Sequence, residues 1–365
     1  MLLSKTIAVV IPAYNEEQQI SHVLETMPGF VDRIIVVNDC SSDDTASVVL
    51  DYIKKQGPVS PHNAELETQT EKTKYDRAEI ILEELNKRDL DHFIPSVVAN
   101  KNPESDRIVL INHEKNGGVG AAIARGYKWC LDHKMDCTAV MAGDGQMDPA
   151  ELETICRPVI EDEAHYVKGN RLIHRSAWHV MPAERYIGNS TLSILTKIAS
   201  GYWHVSDTQT GYTAISLKAL QAIKIHRIYR GYGMPNDLLV KLNIGFCTIK
   251  EVSIKPVYNI GEKSKMNVVK VIPSIAWLLF KSFFKRLWIK YLFKDFHPLF
   301  LLYHFAFMLG IITVPYMVKI ARIVISGETV NPLTVLAFIF LFISSFQSLL
   351  FAMWMDIQDN ERLYR

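Results

Sequence analysis

Met141-Ala142-Gly143-Asp144-Gly145-Gln146-Met147-Asp148-Pro149 follows a short apolar run, Thr138 to Met141, that reads as a buried strand. A carboxylate, an amide and a second carboxylate come next, interleaved with glycines. Glycine lets the backbone turn with positive φ or pass close to a ligand. Asp and Gln side chains are hard oxygen donors suited to Mg²⁺ or Mn²⁺. A carboxylate just past the C-terminal end of a strand sits where open α/β sheets bind ligands. The same residues also read as a plain strand-to-helix turn, with Asp148-Pro149 capping a helix that begins near Ala150.

Working outward, Ile7–Ile11, Ile34–Val37 and Ile108–Ile111 are further continuous apolar runs. Strands of this kind alternating with helices predict a mostly parallel sheet covered on both faces. Pro12-Ala13-Tyr14-Asn15-Glu16-Glu17 reads as a turn, and Asn38 to Thr45 as a polar loop running into a helix, Thr45–Lys55. Asn116 to Ala122 is a glycine-rich turn opening a helix, which serves either phosphate binding through backbone N–H groups or tight helix packing. The stretch 57–107 is polar and reads as a surface insertion with one amphipathic helix, Lys72–Leu90. Downstream, Lys168-Gly169-Asn170-Arg171 follows strand-like Tyr166-Val167. Arg185 and Asn189 share a helix face, and Asp207 to Tyr212 is a loop before the strand Thr213–Ser216. Gly233 to Asp237 precedes a helix, Leu238–Leu242, and Gly261 to Met266 is a basic loop.

The composition changes near residue 270. Trp277, Phe280, Phe283, Phe284, Leu287 and Trp288 interleave with Lys281, Lys285, Arg286 and Lys290, the pattern of a helix lying in a membrane interface. His297–Ala321 carries one charge, Lys319, and Leu333–Met355 carries none. Each is long enough to cross a hydrocarbon core of about 30 Å. Two transmembrane helices are predicted, with the basic helix and the chain end on the cytoplasmic side by the positive-inside rule. The apolar pair also offers a surface for self-association. A net charge of +1 gives no overall basic field for nucleic acid. Five scattered cysteines without CxxC spacing argue against a zinc site or a disulfide framework and fit a reducing compartment. Ser4 and Lys5 lead straight into a strand, with no signal-peptide pattern.

Taken together, Ile11 to Glu17, Asn38-Asp39 with Ser41 to Asp43, Asn116 to Ala122, Gly143 to Pro149, the Arg171 and Arg185/Asn189 cluster, and Asp207 to Tyr212 resemble the family 2 glycosyltransferases of GT-A fold. The likeness is to the dolichol-phosphate mannose synthase-like, or polyprenyl-phosphate glycosyltransferase, branch, and its pieces occur in family order over roughly residues 5–265. It implies a GT-A domain over 1–265, and the composition beyond it assigns interface helices to 266–296 and a transmembrane pair to 297–365. The substrates implied are a nucleotide-sugar and a polyprenyl phosphate in a bilayer. Pro12, Tyr14, Glu16, Asp39 and Gly118 would bind the donor, with Lys263 and Lys265 on a loop closing over it. Asp144 and Gln146 would hold Mg²⁺ or Mn²⁺, and Arg171, Arg185 and Asn189 the acceptor phosphate. The family pattern has Asp-X-Asp where this chain has Ala142-Gly143-Asp144, so the first carboxylate is missing and Asp148 is a candidate to contribute. A hydroxyl acceptor would instead need a carboxylate base, for which Asp237 and Asp207 are the candidates. A non-catalytic nucleotide-sugar-binding protein is the remaining reading.

Overall fold

The structure is a computed structural model that describes residues 2–55, 77–181, 183–257 and 268–365. Its centre is a sheet of β1 (Ile7–Ala13), β2 (Arg33–Asn38), β3 (Ser96–Val98), β4 (Ile108–His113), β5 (Cys137–Val140), β6 (Tyr166–Asn170), β7 (Thr213–Ser216) and β8 (Ile249–Ser253). The spatial order is β3-β4-β2-β1-β5-β7-β6-β8. β4, β2, β1 and β5 run parallel, with Val9 opposite both Ile34 and Ala139. β7 is antiparallel to both β5 and β6, so β6 and its parallel neighbour β8 point the same way as β5. The carboxyl ends of β1, β2, β4, β5, β6 and β8 therefore share one edge, with the segment that enters β7.

The central strands are apolar on both sides because helices cover both faces. Val10, Val37 and Ile111 pack with α4 (Val119–Asp132), α8 (Leu217–Ala222) and α9 (Met234–Ile244). Ile11, Val36 and Leu110 face the other way, onto α1 (Ile20–Glu25), α2 (Thr45–Lys55) and α5 (Leu152–Ile160). Pro12 lies inside β1 rather than in a turn. The ladder to β5 has ended at Val10, so its missing N–H costs no bond on that side.

Further elements differ from the sequence reading, which had no strand at β8. Ser96–Val98, inside the stretch read as an insertion, is an edge strand antiparallel to β4. A three-residue strand is too short to show a two-residue period. Within the same stretch, the described helix is α3 (Arg77–Asp89). α9 begins at Met234, a turn earlier than expected, with Pro235 in its first turn.

Beyond the sheet, α6 (Ala177–Val180) and α7 (Ala183–Ser200) precede β7, and α10 (Val268–Trp288) packs on α7 and α9. α10 continues through a π-helical turn, Ile289–Lys294. α11 (Leu299–Ile325) and α12 (Pro332–Glu361) form a hairpin, and both are long and apolar enough to cross a membrane. Their outward faces are bare, with Ile325 85%, Leu333 74% and Phe340 69% exposed. Small residues let the backbones approach: Ser345 Oγ donates to Ala306 O at 2.9 Å, next to Gly310.

Candidate active site

At the carboxyl ends of β1 and β2, two polar loops are fastened together. Asn15, at φ 54°, donates its N–H to Ser41 Oγ at 3.0 Å and accepts from Ser42 N at 2.9 Å. Glu16 N donates to Thr45 Oγ1 at 2.9 Å, and Glu17 Oε2 accepts from Asp44 N at 3.1 Å. Carbonyl Glu16 O accepts from Gln19 and Ile20, so a turn at Glu16 leads into α1. Tyr14 stands 40% exposed beside these loops.

Asp39, first residue after β2, is buried against the glycine-rich turn that follows β4. Its Oδ1 accepts from Gly117 N at 2.8 Å and its Oδ2 from Gly118 N at 2.7 Å. His113 Nδ1 lies 2.7 Å from the same Oδ1. The amides that the sequence offered to phosphate are thus taken by a carboxylate of the protein. Gly118 is required for two reasons: its φ is +85°, and a Cβ there would meet the Arg230 carbonyl at 2.7 Å. Arg230 O also accepts from Gly120 N at 2.8 Å, so the segment before α9 closes over this turn. Of the two readings of the turn, close packing accounts for Gly118.

The loop after β5 carries Asp144, whose Oδ1 accepts from Gln146 N at 3.0 Å across Gly145, at φ 73°. Gln146 Nε2 is buried without a hydrogen-bond partner. A half-turn of that amide puts its oxygen in the same place, so the loop carries two side chains with the hard oxygens a divalent cation accepts. Asp148 is used differently. Its Oδ1 caps Ala150 N at 2.9 Å and its Oδ2 lies 3.2 Å from Lys255 Nζ, and these contacts hold its pKa below the usual carboxylate value. Among the described residues no cluster of three His, Cys, Asp or Glu side chains is placed to bind a metal. Cation binding here would rest on the Asp144–Gln146 pair, substrate phosphate and water.

Arg171, just past β6, meets Asp207 from the loop that enters β7. Nε donates to Oδ2 at 2.8 Å and Nη2 to Oδ1 at 3.1 Å, while Arg171 stays 22% exposed and Asp207 is fully buried. Burial works against the Asp207 charge, but Arg171 and Lys168 outweigh it and hold its pKa below the ordinary value. Lys168 is buried in β6 and donates to Thr210 O at 2.7 Å, with burial pushing its pKa down to about 8. Glu251 of β8 accepts from Ser206 N and Asp207 N, both at 3.0 Å or less, and burial pushes its pKa up. The same loop is tied to α7, since Ser193 Oγ and Thr208 Oγ1 are 3.0 Å apart. Asn236 Oδ1 joins Thr196 Oγ1 at 3.0 Å to Gln209 Nε2 at 2.9 Å.

Tyr14, Asp39, Gly118, Asp144, Gln146 and Arg171 thus gather at one sheet edge, because their strands run the same way. Arg185 and Asn189 lie a turn apart on α7; the side chain of Arg185, with Lys263 and Lys265, is outside the described residues. Asp237 is built into the first turn of α9, where Oδ2 accepts from Tyr229 N at 2.8 Å and pairs with Lys241. His113, Asn236, Glu251 and Lys168 were given no role from sequence. Lys168 and Asn236 fall in polar stretches noted there, but nothing local marks their partners.

The family described as Glycosyl transferase family 2 matches residues 8–78 and 63–224. A UDP-N-acetylglucosamine–dolichyl-phosphate N-acetylglucosaminyltransferase of Methanococcus voltae is 28% identical over 263 residues, covering 70% of this chain and 88% of that protein. A dolichyl-phosphate beta-glucosyltransferase of Trichomonas vaginalis is 22% identical over 298 residues, 77% of this chain and 74% of that protein. Among solved structures, glucosyl-3-phosphoglycerate synthase from Mycobacterium tuberculosis, with Mn²⁺, uridine diphosphate and phosphoglyceric acid, superposes with a TM-score of 0.48 at 17% identity, over 78% of each chain.

Proposed function

The chain belongs to glycosyl transferase family 2, and we propose that it moves a hexose from a nucleotide-sugar to a polyprenyl phosphate held in a membrane, with inversion at the anomeric carbon. Both relatives described above are named for dolichyl-phosphate acceptors, which supports that acceptor class. The observation that carries the choice concerns the aspartates a hydroxyl acceptor would need. Asp207 spends both oxygens on Arg171, and Asp237, only 7% exposed, already takes Tyr229 N and Lys241 on Oδ2. A phosphate monoester has a second pKa near 6 and reacts as a dianion at neutral pH, without a base.

The residues divide by edge position. Tyr14 and the joined loops after β1 and β2 would line the nucleoside. Asp39 would shape that wall by fixing the Gly117–Gly118 backbone. A divalent cation on Asp144 and Gln146 would supply the positive charge that stabilises the departing nucleoside diphosphate. Arg171, its plane set by Asp207, would orient the acceptor phosphate with Arg185 and Asn189. α11 and α12 would hold the enzyme in the bilayer, with the sheet domain at the cytoplasmic face.

The test incubates membranes containing the protein with radiolabelled UDP- and GDP-hexoses and polyprenyl phosphate. One donor is expected to deliver label to an organic-soluble, acid-labile lipid. Label appearing only as free sugar, or only on a lipid-linked glycan, would rule out this acceptor.

A further inference from the structure

Where α10, its π-helical turn and the end of α12 meet the sheet domain, a group of charged side chains is closed off from water. Arg286 and Asp356 are both fully buried and joined by two bonds of 2.7 Å, Nη1 to Oδ1 and Nη2 to Oδ2. Arg286 also donates from Nε to Ala199 O at 3.0 Å and from Nη2 to Ile198 O at 3.1 Å, carbonyls in the last turn of α7. Lys290 reaches Asn360 Oδ1 at 2.6 Å and Asn243 Oδ1, near the end of α9, at 3.1 Å. Tyr291 donates its hydroxyl to Asp356 Oδ1 at 2.9 Å. Gly201, which ends α7 at φ +78°, has no room for a side chain: a Cβ would lie 2.6 Å from Arg286 Nη1. Past α12 the chain pairs with β8, Ile249 N donating to Leu363 O at 2.8 Å and Arg365 N to Ile249 O at 2.9 Å.

A buried ion pair adds little net stability, because desolvation offsets the attraction, but its bonds are directional. Here they connect the apolar hairpin to the helix that carries Arg185 and Asn189. α7 in turn holds the Asp207 loop through Ser193 and Thr208, and Asp207 holds Arg171. We infer that Arg286 is a positioning residue for the acceptor: the Arg286–Asp356 lock fixes α7, and through it the Arg171 fork, at a set depth relative to the membrane hairpin. The inference rests on the polyprenyl-phosphate reading. A bilayer-held phosphate arrives at a depth fixed by its lipid, so a loosened lock misplaces the arginines only for that kind of acceptor. A short-chain phosphate in solution is free to follow the site.

The experiment compares the wild-type full chain with the double variant Arg286→Met/Asp356→Leu and with Tyr291→Phe. Replacing both members of a buried pair by apolar residues tends to preserve folding. Tyr291→Phe removes one hydroxyl and covers the case in which the double variant does not fold. KM and kcat are measured for long-chain polyprenyl phosphate in phosphatidylcholine vesicles and for citronellyl phosphate in solution, with saturating nucleotide-sugar. The long-chain KM is expected to rise about tenfold in the double variant and about twofold in Tyr291→Phe, with kcat and the citronellyl KM unchanged. An unchanged long-chain KM in a folded variant, or an equal rise for both acceptors, overturns the inference. A wild type inactive on both acceptors overturns the functional reading beneath it, and is seen before any variant is tested.

Discussion

Asp39 takes hydrogen bonds from two consecutive backbone amides, Gly117 and Gly118, at 2.8 and 2.7 Å. An amide in its place keeps one acceptor and turns an N–H₂ toward the other donor. Asp39→Asn is therefore expected to lower stability by about 1–3 kcal/mol, with a raised donor KM, read from thermal unfolding and donor titration. Motif order made Asp39 visible in the sequence. Its partners were not, because they lie 78 and 79 residues away and nothing local encodes that pairing. Lys168 gives a pH test. Burial holds its folded pKa at about 8, below the value in the unfolded chain. From pH 8 to about 10.4 the unfolded state keeps a proton that the folded state releases, so stability rises with pH across that window. The thermal midpoint of the wild type, relative to Lys168→Met, is expected to increase between pH 8 and 10. A flat difference would show that Lys168 carries no depressed pKa.

At the scale of elements, β1, β2, β4 and β5 were legible because each is a continuous apolar run, whereas β8, Ile249-Lys250-Glu251-Val252-Ser253, breaks that pattern with two charges and was not read as a strand. The switch to antiparallel β7 was not legible, since Thr213–Ser216 has the same apolar character as its neighbours. α9 begins at Met234, where the Gly233-Met234-Pro235 pattern holds a proline start signal ahead of the apolar residues. The packing of Gly120 was likewise hidden, because its contact comes from the Tyr229–Arg230 segment. A Cβ at Gly120 would come within 2.0 Å of Tyr229 O. Gly120→Ala must push that segment away and is expected to cost roughly 1–3 kcal/mol, seen as a lowered thermal midpoint. A midpoint equal to wild type would mean the two loops are not held together.

At the scale of the whole molecule, the apolar hairpin and the sheet domain share buried contacts that composition alone does not reveal. The sequence marks α11 and α12 by their lack of charge, and the interface character of α10 by its alternating lysines and aromatics. It leaves Asp356 looking like the first residue of a polar tail. In the fold, Asp356 is fully buried and Leu363 joins the core beneath the sheet. Ending the chain at residue 296 would strip Arg286 and Lys290 of Asp356 and Asn360 and bare the edge of β8. It would also bare the apolar side chains of α10 that pack against the hairpin, Leu279, Phe283 and Leu287 among them. The truncated chain is thus expected to aggregate on expression, despite retaining every residue of the sheet. A monodisperse, thermally cooperative 1–296 fragment would show that the hairpin is only an anchor.

Asp144 offers the most direct test of sugar transfer at this sheet edge. Wild type and Asp144→Ala are purified in detergent, matched for secondary structure by circular dichroism, and assayed for sugar transfer to polyprenyl phosphate with and without a chelator. Asp144→Ala is expected to lose about 10²-fold or more in kcat, and the chelator to abolish wild-type turnover until Mg²⁺ or Mn²⁺ is restored. Wild-type turnover by Asp144→Ala, or indifference of the native enzyme to chelation, would contradict the proposal.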